Sequence, residues 1–331
     1  MKIAVVGAGA IGGFIGTRLA LAGEDVTFMV RGANLDAIRA NGFKLVMHDG
    51  TGQVARNVKA SNDYAATGPQ DVVILATKAH QLEAVAGSVP KLFGPDTAVV
   101  TMQNGIPYWY FHRHGGALAG TRVRSVDPTG AIGESIPAEG VIGCVVYPAT
   151  EDVAAGAVRH IEGDRFPIGE LDGSTSARVQ RISEAFTRAG LKSPVLDDIR
   201  SEIWLKLWGN LTFNPISALS RATLVDICEF PPTRTLAAAM MAEAQAVGTK
   251  LGITFRVTID KRIDGAARVG KHKTSMLQDI EAGREPEIEA LVGSVVELGQ
   301  LSGTPTPHID SVYALVKLLA ASIAAEVSAR G

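Results

Sequence analysis

A doubly wound parallel α/β sheet followed by an all-helical domain is the architecture this sequence predicts. Three observations carry the prediction. A glycine-rich turn joins a short apolar strand to a helix near residue 7, β-branched runs alternate with helical segments through the first half, and helical periodicity dominates after Gly173. At 331 residues the chain exceeds what one hydrophobic core ordinarily organises, so two domains are expected, 1–196 and 197–331.

Residues 2–6 form an apolar run of strand length, and residues 11–22 have helical character that stops at Gly23. Residues 25–30 predict a second strand. Two further β-branched runs, 71–76 and 98–102, read as strands with a helix-like segment, 79–89, between them. Alternation of this kind implies parallel strands joined by crossovers. The stretch 121–153 is irregular and rich in Gly and Pro, with a strand at 141–147, while 158–162 and 165–168 predict a hairpin across Gly163-Asp164. Helices follow at 177–189, 201–219, 233–251, 286–301 and 308–327, with stops at Gly190, Gly252 and Gly303. There is no internal repeat and no low-complexity segment.

Composition narrows the function. Hydrophobic residues make up 46% of the chain and the formal net charge is −2, which argues against disorder and against a nucleic-acid partner, and favours a small soluble ligand. The two cysteines, Cys144 and Cys228, lie far apart and outside any metal-ligand spacing, so neither a disulfide framework nor a metal site is expected and a reducing cytoplasm fits. Lys2 and the apolar residues after it imitate a signal peptide. Glycines at 7, 9, 12, 13 and 16 weaken that helix, however, and Arg18 closes the stretch without a small-residue cleavage site. No uninterrupted apolar stretch reaches about 18 residues, so a membrane span is not expected.

Gly7-Ala8-Gly9-Ala10-Ile11-Gly12 is a GxGxxG that leaves a strand and opens a helix, the context a dinucleotide fingerprint requires. Gly7 permits the tight turn, Gly9 lets the backbone approach a pyrophosphate, and Gly12 allows close helix packing, while N–H groups at the helix start attract the anion. Sites selective for NAD place an acid at the end of the second strand. Here that place holds Arg31, whose guanidinium can fork onto a 2′-phosphate, so NADPH is the expected cofactor and a solvated surface arginine the alternative.

Lys78 and Asn104 follow the ends of two further strands, where open α/β sheets bind ligands; a phosphate or substrate lysine and a nicotinamide or substrate asparagine are expected there. In the helical half, Lys206, Asn210 and Asn214 recur every four residues and stack on one face of an otherwise apolar helix. Buried polar groups need partners or a ligand; a lysine that snorkels to solvent beside two capping asparagines is the alternative.

These motifs, with Thr77-Lys78-Ala79, Gln103-Asn104-Gly105, Asn214-Pro215, the run from Lys273 to Asp279, and Glu285-Pro286-Glu287-Ile288, resemble the ketopantoate reductase (2-dehydropantoate 2-reductase) family in order along essentially the whole chain. The resemblance implies an N-terminal Rossmann-type domain that binds NADPH, a C-terminal all-helical domain, and reduction of a branched 2-keto acid in the cleft between them. Position by position, Lys206 is similar to the family's catalytic lysine, and Asn210, Asn214 and Ser275 to its substrate contacts. Glu287 resembles the glutamate near substrate and nicotinamide. Arg31 and Lys78 match positions that favour the phosphorylated cofactor, Asn104 matches a residue touching both ligands, and Ala149 matches a cofactor backbone contact. A helical domain of this type can support a homodimer.

The chain departs from the family between Asn104 and Tyr147, where it is longer and carries Tyr108-Trp109-Tyr110-Phe111. These rings either line the substrate pocket, which would suit a keto acid bulkier than 2-dehydropantoate, or pack into the core. Other functions open to the same architecture are an NADPH-sensing regulator without turnover and another hydroxy-acid or imine-forming dehydrogenase.

Overall fold

The computed structural model describes residues 1–330, with side chains as far as Glu326. The chain divides into two compact units, one made of Met1–Gln103, Phe111–Gly120 and Thr129–Ile199, the other of Asn104–Tyr110, Thr121–Pro128 and the residues from Arg200 onward.

The first unit contains β1 (Lys2–Val6), α1 (Ala10–Leu21), β2 (Asp25–Met29), α2 (Ala33–Asn41), β3 (Phe43–Val46), β4 (Gly52–Ala55), β5 (Lys59–Ser61), α3 (Tyr64–Thr67), β6 (Gln70–Leu75), α4 (Glu83–Ala86) and β7 (Phe93–Thr101). It continues with α5 (Ala131–Ser135), β8 (Val141–Cys144), β9 (Ala149–Ala154), β10 (Ala157–Glu162), β11 (Ile168–Glu170) and α6 (Ala177–Arg188). Seven strands form the main sheet in the order β11-β8-β7-β6-β1-β2-β5, parallel except for β11 against β8. The first unit is thus of the Rossmann type. Strand order reverses at β1, between β6 and β2, and in such sheets the crevice at that reversal is where ligands bind.

A second sheet, β4-β3-β10-β9, packs on α1. The helix is therefore covered on more than one side: an added Cβ at Gly13 would meet the Phe43 ring at 2.4 Å, and one at Gly16 the Phe28 ring at 2.5 Å. Phe14, Phe28, Phe43 and Val158 are all buried in this core, each contributing about 1.5–3 kcal/mol. The expected hairpin at 158–168 is corrected here. β10 pairs with β9 and β3, whereas β11 pairs with β8 in the other sheet. The expected helix at 79–89 is likewise broken into a 3-10 turn, the single turn α4, and a second 3-10 turn at Val89–Leu92; Pro90 sits at the start of that last turn, where its missing N–H is tolerated.

In the second unit α7 (Ile199–Ser220) is followed by α8 (Leu224–Glu229), α9 (Pro231–Lys250), α10 (Ile259–Ala267), α11 (Ser275–Glu281), a π-helical turn (Glu289–Gly293), α12 (Ser294–Ser302) and α13 (Pro307–Arg330). The aromatic segment packs its rings inward. Trp109 and Tyr110 are buried, the Trp204 indole N–H donates to the Tyr110 hydroxyl at 2.7 Å, and Arg200 donates to the Tyr110 carbonyl at 2.9 Å. These rings are core, so they offer no ground for a bulkier substrate. The backbone N–H groups of Arg124 and Ser125 donate to the Glu297 carboxylate, each at 2.7 Å, which pins this part of the chain to α12.

One helix among the described residues, Pro307–Glu326 within α13, is long and apolar enough to cross a membrane, where the sequence alone suggested none. Its N-terminus is held by the Glu243 carboxylate, which accepts from the N–H groups of His308 and Ile309 at 3.0 Å each.

Acid sensitivity of the first unit follows from Glu170 in β11, which is buried and accepts hydrogen bonds from Ser176 (2.5 Å) and from two nitrogens of Arg178 (2.8 and 2.6 Å). Burial by itself raises the carboxyl pKa, but the bonds from Arg178 and Ser176 outweigh it and hold the pKa below the ordinary value. A lowered folded-state pKa gives stability that is present above the unfolded value and lost as pH falls through the folded one. The stability gap between the native chain and Glu170→Gln is therefore expected to shrink below about pH 4.5, read from denaturant midpoints across that range. A gap independent of pH would show that the charge on Glu170 contributes nothing.

Candidate active site

In the first unit the glycine-rich turn lies at the strand reversal. Gly7 has φ +93°, a conformation L side chains rarely adopt, and an added Cβ there would stand 3.0 Å from Thr77 in the loop after β6. At Gly12 an added Cβ would reach the Gly7 carbonyl oxygen at 2.0 Å, so the helix can rise this close to the strand only without a side chain. Gly9 caps α1 with no side-chain hydrogen bond, and the nearest atom to a Cβ built on it is Asp152 Oδ1 at 4.0 Å. The first turn of α1 carries no acidic residue, so the helix start offers N–H groups and a positive dipole end to an anion. Ala8, Ala10 and Ile11 complete this turn, which fits the diphosphate of a dinucleotide.

Arg31 stands exposed two residues beyond β2, on the same carboxyl edge. Its charge reaches the Tyr64 phenol: burial raises that pKa, and Arg31 opposes the rise. Lys78 is half-buried, three residues after β6. Ala149 opens β9 in the smaller sheet, which packs on α1.

In the second unit three side chains predicted from widely separated parts of the sequence come together. The Lys206 ammonium donates to Asn104 Oδ1 at 2.6 Å, and Asn104 Nδ2 donates to Glu287 Oε2 at 3.3 Å. All three are half-buried, and the amide is polarised in one direction, from cation to carboxylate. Asn104 follows the last residue of β7 by three positions. Asn210 and Asn214 stand one and two turns beyond Lys206 on α7. Asn214 is 5% exposed and its Nδ2 has no hydrogen-bond partner among the described residues, a donor held out of water for no internal purpose. Ser275 is exposed as the first residue of α11, whose N-cap, Thr274, accepts from the Leu277 N–H.

Some of the architecture around the lysine carries no advance signal in the sequence. The Ala290 carbonyl, which accepts the Ile106 N–H at 3.0 Å and the Ser294 hydroxyl at 2.7 Å, lies in an unremarkable apolar helix pattern, and only Gly105, directly after Asn104, hints that the backbone there must approach something closely.

The chain is similar to known proteins over nearly its whole length. Residues 3–173 match the family model described as Ketopantoate reductase PanE/ApbA, and residues 198–320 match its C-terminal counterpart. Over 321 residues the chain is 54% identical to a 2-dehydropantoate 2-reductase of Mesorhizobium japonicum, covering 97% of this chain and 98% of that protein. A solved structure from Ralstonia solanacearum MolK2, provisionally assigned as a ketopantoate reductase, superposes with a TM-score of 0.93 at 43% identity, covering 97% and 98% of the two chains. The 2-dehydropantoate 2-reductase of Methylococcus capsulatus gives a TM-score of 0.83 at 27% identity, with 98% of each chain covered.

Proposed function

The chain belongs to the ketopantoate reductase family and is an oxidoreductase, and we propose that it reduces 2-dehydropantoate to pantoate with NADPH. The observation that carries the proposal is the Lys206 ammonium held by Asn104, which is itself bonded to Glu287.

When bound, the reduced nicotinamide would supply a hydride to the keto carbon. As the C–H bond forms, the carbonyl π pair moves onto oxygen, and that oxygen takes a proton. Lys206 serves this step: its ammonium stabilises the developing alkoxide and then donates N–H to it, giving the hydroxy acid. Asn104 keeps the ammonium aimed by accepting one of its hydrogens. Glu287 keeps the amide from flipping, because only the NH2 end of Asn104 can donate to a carboxylate. Asn210, Asn214 and Ser275 receive the carboxylate and hydroxyl of the substrate, and the unpaired Asn214 Nδ2 supports a donor role. In the first unit Gly7 to Gly12 would cradle the diphosphate, Arg31 and Lys78 would meet the extra phosphate of NADPH, and Ala149 would offer its backbone.

The test is oxidation of NADPH and NADH against a panel of 2-keto acids, with the native chain and Arg31→Ala. Turnover is expected to be fastest with 2-dehydropantoate. Arg31→Ala is expected to raise the KM for NADPH by about tenfold or more and leave NADH nearly unchanged, since a charge-assisted pair with phosphate is worth about 1.5–3 kcal/mol. Equal losses for both cofactors would remove Arg31 from the selectivity argument, and turnover confined to other keto acids would overturn the substrate.

A further inference from the structure

The Glu289–Gly293 segment is a π-helical turn at the start of the helix that α12 continues, two residues after Glu287. Such turns are less favourable than α-helix and persist where something holds them, frequently at functional sites. Here the widened turn redirects a carbonyl. The Ser294 N–H donates to the Glu289 oxygen five residues back instead of to Ala290. The Ala290 oxygen instead accepts the Ser294 hydroxyl at 2.7 Å and the backbone N–H of Ile106 at 3.0 Å. Ile106 is buried and stands two residues after Asn104. One turn of helix thus fixes Asn104, through the carbonyl on which the next two residues dock, and Glu287, to which Asn104 donates, through its own backbone.

What anchors the turn is Glu289. Its carboxylate accepts from the Tyr313 hydroxyl at 3.0 and 2.8 Å and pairs with Lys317, both on α13. The fit is close, because an added Cβ at Gly293 would come within 2.4 Å of Glu289 Oε2 and 3.2 Å of the Tyr313 ring. The Tyr313 phenol pKa is raised, first by burial and then by the Glu289 bond and charge, so the hydroxyl stays a donor at neutral pH.

We propose that Glu289 is a positioning residue of this reductase: by tying the π-turn to Tyr313 and Lys317 it seats Asn104 and Glu287 about the Lys206 ammonium. The claim that this affects turnover rests on the function proposed above; the claim about geometry does not. The experiment measures kcat, KM and NADPH binding for Glu289→Ala, Tyr313→Phe and Glu289→Gln, together with hydrogen exchange at the Ile106 amide. Glu289→Ala and Tyr313→Phe are expected to lower kcat by about tenfold, with NADPH affinity unchanged, because a catalytic group displaced by a fraction of an ångström loses orientation. Both are expected to speed exchange at Ile106. Glu289→Gln still accepts the Tyr313 hydrogen and is expected to restore most of kcat and of the protection. Unchanged kcat and unchanged Ile106 protection in Tyr313→Phe, the variant least able to disturb folding, would overturn the proposal, as would a fall in thermal stability alone. Should the native chain turn over no 2-keto acid, the exchange data still decide: faster exchange in both variants retains the positioning role while the function falls, and unchanged exchange ends the positioning role as well.

Discussion

Replacing Lys206 by Ala is expected to lower kcat by about 10²–10⁴-fold, the range that removal of a positioned proton donor and oxyanion partner costs. NADPH binding, measured by fluorescence titration, is expected to be retained, because the glycine-rich turn of Gly7 to Gly12 belongs to the other unit. Lys206→Arg is expected to stay slow. A guanidinium keeps the charge but gives up its proton far less readily, and its planar fork does not reproduce the 2.6 Å bond to Asn104 Oδ1. A parallel loss of NADPH affinity would make this a structural lysine and remove the central step of the mechanism.

The parts of the site that were legible beforehand share a physical property: each is a local pattern with few alternatives. The GxGxxG between strand and helix fits one backbone geometry, and an added Cβ 2.0 Å from the Gly7 oxygen at Gly12 shows how little freedom the turn has. The polar stripe of Lys206, Asn210 and Asn214 in an apolar helix was visible because buried charge and amide groups are costly without a purpose. Meeting of Asn104 with Lys206, 102 positions apart, has no such local cause, and only the resemblance to known reductases linked them. The second sheet is hidden in the sequence for a related reason. β4 is mostly exposed and β3 alternates only briefly, so neither offers a long periodic signal, and the Gly163-Asp164 turn signal outweighed the true pairing of β10 with β3. The π-turn was hidden because its apolar residues, Ala290 to Val292, satisfy a helical pattern whether the turn is α or π.

Gly105→Ala is expected to be nearly as damaging as loss of the lysine, although no reacting atom touches residue 105. Gly105 has φ +87°, and an added Cβ would stand 2.0 Å from the Ala290 oxygen and 2.4 Å from its carbonyl carbon. The conformation alone costs an L residue about 1–2 kcal/mol. The contact cannot be relieved by a side-chain rotation, because the obstacle is backbone inside a helix whose carbonyl already receives Ile106 and Ser294. The loop must therefore withdraw, breaking the Ile106 bond and carrying Asn104 away from both Lys206 and Glu287. A fall in kcat of about a hundredfold is expected, with NADPH titration unaffected and the Ile106 amide exchanging freely. The effect should exceed that of Glu289→Ala, since the first change ejects the loop and the second only loosens the helical turn on which it rests. Native kcat in Gly105→Ala with Ile106 still protected would mean that the helix yields instead of the loop, and the clamp on Asn104 would have to be abandoned.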